Sequence, residues 1–238
     1  MKKLLLILLL FPLFGFSQNW AGDHYTNWSV LGWSKDGHVA LFEHSVGDMV
    51  DGCYYSVVIV NMKTDQIVDE LILQSIFEPE DMSSEEFLIA CDSLTLTKKY
   101  YKKIHRLYSQ YQIIEYSDNK FYSTSIVNNN YEIIFDSKDT PVPDSLGESD
   151  DYNGCELYWC GNRPVDYSLT IKDSRNKSKI LTNGTDWCAS HIDYVGYFKS
   201  PFESRLLLVI YSKESDFDFQ YYSTYRFIGC SLHPSKFK

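Results

Sequence analysis

Basic charge is scarce in this chain: 22 Lys and Arg stand against 32 Asp and Glu, a formal net charge of −10. A surface of that sign repels a polyphosphate, which excludes a dedicated nucleic-acid binder. Beyond Phe14 there is no long apolar run, so nothing after that point reads as a transmembrane helix. The usual signatures of chemistry are missing too. No Gly-x-Ser-x-Gly elbow, phosphate-cradling glycine loop, dinucleotide fingerprint or zinc-protease helix motif occurs. Aromatic residues, in contrast, are abundant: 19 Tyr and 14 Phe in 238 residues, with 44% apolar residues overall. That composition belongs to a folded domain with β-structure rather than to a disordered chain.

Residues 1–17 read as a secretory signal, which leaves 18–238 as a single mainly-β domain. Lys2-Lys3 form the positive start, Leu4 to Phe14 the apolar stretch, and Gly15-Phe16-Ser17 a small-x-small cleavage site. The apolar stretch is too short for the roughly 20 residues that span a bilayer as a helix. No cysteine near the cut offers a site for a lipid anchor. The expected location is outside the cytosol, periplasmic or secreted. All six cysteines would then enter an oxidising compartment, where six thiols allow fifteen complete pairings. Cys155, Cys160 and Cys188 are the disulfide candidates, with one bridge expected within that trio, and Cys91 is read as a free buried thiol. Zinc is the competing reading for Cys155 and Cys160, and the lack of a second closely spaced pair weighs against it.

Short runs rich in Val, Ile, Tyr and Phe predict strands at 28–33, 38–44, 54–60, 66–72, 121–127, 130–136, 155–160, 166–172, 178–182, 192–198, 205–211 and 220–228. Turn-forming clusters join several of them, among them Lys35-Asp36-Gly37, Asn128-Asn129-Asn130 and Asp173-Ser174-Arg175-Asn176. Connections this short require antiparallel pairing, because a parallel crossover needs about a dozen residues. The fold class is therefore mainly β, built from antiparallel meanders, with one helical insert at 83–112. Ser83 and Glu86 have capping-box spacing, and Phe87, Cys91, Leu94, Tyr101, Ile104, Tyr108 and Tyr111 trace one helical face. Lys98, Lys99, Lys102, Lys103 and Arg106 crowd the latter half of the insert, as a solvated face with cations near the helix C-terminus would. Residues 139–154 form an acidic linker whose Asp151-Tyr152-Asn153-Gly154 echoes a calcium loop but lacks a ligand at the twelfth place, where Cys160 stands.

The most specific segment is Leu31-Gly32-Trp33-Ser34-Lys35-Asp36-Gly37-His38-Val39-Ala40-Leu41-Phe42. Its repeat motif, Trp33, Ser34, Asp36 and Gly37, resembles the Trp-Ser-x-Asp-Gly blade motif of TolB-type β-propeller repeats. The resemblance implies a blade-like unit in which Asp-Gly closes a tight turn and the tryptophan packs the interior. Val195 to Phe202 resembles a degenerate second copy that has lost Asp-Gly, so its turn must be built differently. Tyr-Ser opens β-rich runs at Tyr55, Tyr122, Tyr167 and Tyr222, with intervals near a blade repeat once the helical insert is discounted. A small propeller and a two-sheet sandwich both accommodate these meanders. The leader, the single Trp-Ser-Lys-Asp-Gly element and the Tyr-rich end together resemble small exported proteins of Bacteroidota without an assigned activity, a likeness that carries over no catalytic residue. Under it, Asp92-Ser93-Leu94 and Asp144-Ser145-Leu146 look like that phylum's O-glycosylation motif.

No catalytic, cofactor-binding or metal-binding residue emerges. His38 and His44 flank one strand face but stand ~20 Å apart on a straight strand, too far to share an ion. Asp216 and Asp218 alternate with Phe217 and Phe219, which reads as a half-exposed strand. The expectation is a non-catalytic exported module that binds a protein or glycan partner through a Tyr/Trp-rich β surface. That reading requires that Trp20, Trp28, Trp159 and Trp187 not all be buried in one core. The alternative is a secreted hydrolase using Asp or Glu with a histidine brought together from separate loops.

Overall fold

A computed structural model describes residues 25–47, 52–77, 98–117, 119–128, 130–140, 151–152, 155–156, 164–186, 189–215, 221–233 and 236. The leader, the helical stretch 83–97 with Cys91, most of the acidic linker, Cys160, Cys188, Asp216 and Asp218 lie outside them. So do Trp20, Trp159, Trp187 and both three-residue glycosylation motifs.

The first sheet is a meander of four long strands: β1 (Tyr25–Trp33), β2 (His38–Gly47), β3 (Gly52–Asn61) and β4 (Gln66–Phe77). After helix α1 (Lys98–Tyr111), the two-residue β5 (Ile114–Glu115) returns to the free side of β1, giving the order β4-β3-β2-β1-β5. Two further sheets follow. The order β15-β14-β13-β6 joins β6 (Phe121–Tyr122), β13 (Ala189–Lys199), β14 (Arg205–Ser215) and β15 (Tyr221–Ser231). The order β12-β11-β8-β7 joins β7 (Ile126–Asn128), β8 (Tyr131–Asp139), β11 (Val165–Asp173) and β12 (Ser178–Asp186). A small ribbon pairs β9 (Asp151–Tyr152) with β10 (Cys155–Glu156). All strand pairs are antiparallel, as the short connections predict. The fold is mainly β with one described helix.

Packing follows from the two-residue period of strands. In β14 the run Leu206-Leu207-Leu208-Val209-Ile210 has no polar member, and its two faces enter different cores. Leu206, Leu208 and Ile210 meet Ile133, Leu169 and Ile171 of the sheet containing β11. Leu207 and Val209 meet Trp33, Val39, Leu41, Val58 and Val60 of the first sheet. The run Val57-Val58-Ile59-Val60 of β3 is divided likewise: Val58 and Val60 face β14, while Val57 and Ile59 lie under α1 with Ile104, Leu107 and Tyr108. The layers are thus stacked as α1, first sheet, β13–β15 sheet, β11 sheet, three sheets deep rather than two. The outermost β11 alternates buried Leu169 and Ile171 with less buried Ser168, Thr170 and Lys172, as a strand with one wet face should.

The described part of the helix agrees with the predicted face at Ile104, Tyr108 and Tyr111. Its cations are distributed differently from the expectation. No basic residue stands in the last turn, and Lys98, Lys99, Lys102 and Lys103 occupy the N-terminal half. The helix dipole therefore does not account for them. The free buried thiol among the described residues is Cys230, whose pKa is pushed up to about 11 by burial. At ordinary pH it is an inert, protonated side chain.

Candidate functional site

The repeat motif closes the β1–β2 hairpin. Trp33 is fully buried between the first sheet and β14, and its indole N–H donates to Asn119 Oδ1 at 2.7 Å. Gly37 takes φ = 98°, the left-handed conformation that ends a hairpin loop of this length. The Ser34 backbone N–H donates to His38 O at 2.9 Å, and the His38 N–H donates to Ser34 Oγ at 2.8 Å. The Ser34 hydroxyl donates to Asp36, and His38 Nδ1 faces Asp36 Oδ1 at 3.1 Å.

Ser, Asp and His thus meet within five residues, but not as a nucleophilic triad. In a triad the histidine lies between serine and carboxylate and takes the serine proton. Here the carboxylate is in the middle, the serine proton already points at it, and Ser34 has no exposed surface. The Ser34 hydrogen bond, outweighing partial burial, holds the Asp36 carboxyl below the usual carboxylate range, with His38 adding to the effect. The arrangement fixes a turn.

A second set of suggestive residues lies between the two later sheets. Arg226 of β15 pairs with Asp186 of β12, its Nη1 donates to Tyr167 Oη at 2.8 Å, and the Ser212 hydroxyl donates to Asp186 Oδ2 at 3.2 Å. Asp186 is nearly buried and accepts from both partners, so this is an interlayer tie. Sequence reasoning missed it, since its members lie 26 to 59 residues apart along the chain.

Beside the first turn is an open cleft of about 660 Å³. Lys35 of the turn forms one wall; His105, Tyr108, Ser109 and Gln112 form another; Ile113, Ile114 and Glu115 line the rest. Three local features build it. Helix α1 ends in a Schellman-type cap, with Ile113 N–H donating to Tyr108 O at 2.8 Å and Gln112 at φ = 52°. Glycine is the usual residue at that position, yet here a long amide side chain occupies it and borders the cleft. Gly32 then lets β5 approach β1: a Cβ at that position would lie 2.6 Å from Ile114 O. Finally, His38 and Tyr111 rings stand 5.3 Å apart, and the Tyr111 hydroxyl donates to Asp69 Oδ2 at 3.1 Å, holding the turn, the helix end and β4 in register. Burial pushes the Tyr108 hydroxyl far up, so it stays neutral.

The remaining predicted residues are dispersed. Cys155 is in β10, and Cys160 and Cys188 lie outside the described residues. His44 stacks on Tyr55 at 4.2 Å, and His191 pairs with Asp193 at 2.9 Å on the surface. No three His, Cys, Asp or Glu side chains stand close enough to share a metal ion among the described residues. The described tryptophans both face inward: Trp28 contacts Phe121, Phe198, Tyr225 and Phe227 edge-on at 5.4–5.9 Å between the sheets. Of the four tryptophans on which the recognition-surface expectation turns, Trp28 is therefore an interlayer contact, and Trp20, Trp159 and Trp187 lie outside the described residues. Among the described residues no helix is long and apolar enough to cross a membrane. Comparison of the chain with protein-family models, curated proteins and solved structures finds no match.

Proposed function

We propose that the protein is an exported, non-catalytic β-domain that binds a protein or glycan partner, and that it does so at the cleft beside the Trp33–Gly37 hairpin. Three antiparallel sheets packed face to face support reading them as blade-like units, in keeping with the resemblance of that hairpin to TolB-type repeats. The observation that carries the binding reading is Gln112. A non-glycine residue in the left-handed region costs about 1 kcal/mol relative to glycine at a helix end, and such local strain is characteristic of functional positions. Its side chain gives the cleft a donor and an acceptor, beside Ser109, Lys35 and Glu115.

His105 and Glu115 share this cleft and are the pair on which a secreted hydrolase would have to rely. Both are exposed, and no hydrogen bond joins them, which leaves the binding reading better supported. The test is a pair of measurements on the intact protein. Gln112→Gly is expected to raise the urea midpoint while weakening retention of glycans on an array or of exported-protein partners. Chromogenic glycosides and esters should not be turned over. Turnover that disappears in His105→Ala or Glu115→Gln overturns the proposal, as does a Gln112→Gly variant that binds unchanged.

A further inference from the structure

We propose that the outward face of α1, continuous with the cleft, binds an acidic polysaccharide. This deepens the binding reading above and rests on it. In a chain of net charge −10, helix α1 (KKYYKKIHRLYSQY) carries five Lys and Arg and no Asp or Glu. Lys102, Lys103 and Arg106 are exposed, and none of them has a carboxylate within ion-pair distance among the described residues. The usual structural reason for helical cations is the negative end of the dipole, and none of the three stands in the last turn, where that effect acts. A row of cations that has no carboxylate partner among the described residues and stands outside the last turn is complementary to an external anion.

The chemistry beside the row selects the kind of anion. Exposed positions 102, 103, 105, 106, 109 and 110 present no apolar side chain, whereas a membrane-surface helix needs an apolar wedge and a protein-docking helix an apolar anchor. The cleft at the end of the row offers Ser109 and Gln112 for hydroxyl groups. Ile114, 46% exposed, gives an apolar surface for a sugar ring. Two carboxylates temper the field there: Glu115 in the cleft, and Asp69, which already accepts from Tyr111 and from Gln110 at 3.4 Å. A polyuronate, with one charge per sugar, is accommodated by such a mixed site. Duplex DNA, with one charge per about 1.7 Å, is opposed by the rest of this acidic surface.

Titration of the full exported chain with alginate, heparin and neutral dextran, at low salt and again at raised salt, tests the proposal. Alginate or heparin should bind, dextran much less, and raised salt should weaken binding steeply. Which of the two binds distinguishes carboxylate from sulfate as the favoured anion. Lys102→Glu combined with Arg106→Glu is expected to lower affinity at least tenfold without moving the urea midpoint, since neither side chain has a partner among the described residues. Lys177→Glu, on the distant β11–β12 turn, should leave it unchanged. Equal binding of dextran overturns the charge proposal but leaves the glycan-binding reading standing. Binding to phosphatidylglycerol vesicles or single-stranded DNA in preference to alginate and heparin overturns it in favour of those partners. No binding to any of these probes, or an unaffected double variant, overturns it outright.

Discussion

Two hairpin turns at opposite outer sheets of the stack, 34–38 and 173–177, have the same backbone wiring and different side chains. In each, the first residue's N–H donates to the fifth residue's carbonyl, at 2.9 Å from Ser34 to His38 and 2.8 Å from Asp173 to Lys177. In each, a side-chain oxygen of the first residue accepts the fifth residue's N–H, at 2.8 Å on Ser34 Oγ and 2.9 Å on Asp173 Oδ1. The fourth residue is left-handed in both, Gly37 at 98° and Asn176 at 63°. The third residue completes the lock with opposite chemistry. Asp36 accepts from Ser34, whereas the Arg175 guanidinium donates to Asp173 at 2.7 and 3.0 Å. The shared requirement is a buried oxygen at the first place, a left-handed fourth residue, and a third residue able to pair with the first. Viewed this way, the Ser-Asp-His grouping needs no catalytic explanation.

The largest expected effect is at the second turn. Asp173→Ala removes the acceptor of two backbone N–H groups and of the Arg175 guanidinium, and it should lower the urea midpoint more than any single change in the first turn. Ser34→Ala strands the His38 N–H and takes one donor from the Asp36 carboxylate, and should cost about 1–2 kcal/mol by the same measurement. Should Ser34→Ala prove the more damaging, the equivalence of the two turns is wrong. Exchanging the left-handed residues is gentler. Gly37→Asn and Asn176→Gly should each change stability by no more than about 0.5–1 kcal/mol, because both types tolerate that conformation. A Cβ at residue 37 would come nearest the mobile end of Lys63, at 3.1 Å, with Glu203 Oε1 in ordinary contact at 3.6 Å.

The turns also show what a sequence discloses. Trp33-Ser34-Lys35-Asp36-Gly37 is legible because each residue acts on its near neighbours, so its pattern survives in one dimension. The matching turn at 173–177 is legible as a turn but not as a copy, since Asp replaces Ser and Arg replaces Asp. The segment 195–202, which resembles a second copy by sequence, closes otherwise: Ser200 N–H donates to Arg205 O at 3.0 Å across a longer connection. Most strand positions follow from composition, although the strand expected at 121–127 is divided into β6 and β7 of two different sheets, and even the layering is encoded. Unbroken apolar runs at 57–60 and 206–210 mark strands covered on both faces, whereas the polar alternation of β11 marks one that is not. The Asp186–Arg226 tie and the cleft depend on contacts between distant segments, and Gln112 is conspicuous only through its dihedral angle. No local pattern announces any of them.

The smallest effect concerns pH and separates the turns by how they hold their carboxylates. Asp36 is held below the ordinary carboxylate range mainly by the Ser34 hydroxyl. For Asp173 burial acts in the opposite direction, and the Arg175 guanidinium with the Lys177 and Arg175 N–H groups outweighs it. In both cases the unfolded chain binds the proton more readily than the folded one. Each carboxylate therefore contributes stability that is complete above its ordinary pKa and is lost as pH falls through the lower folded value. Asp36 is half exposed, so solvent screens its contribution strongly. Asp173 is enclosed by its own turn and accepts from three donor groups. Unfolding midpoints measured from neutral pH down through the acid range should accordingly fall less steeply in Asp173→Asn than in the parent, with a smaller flattening in Asp36→Asn. If Asp36→Asn removes the greater share of the acid slope, the charge at the third place governs the hairpin at 34–38, and the buried oxygen at the first place is not the common lock.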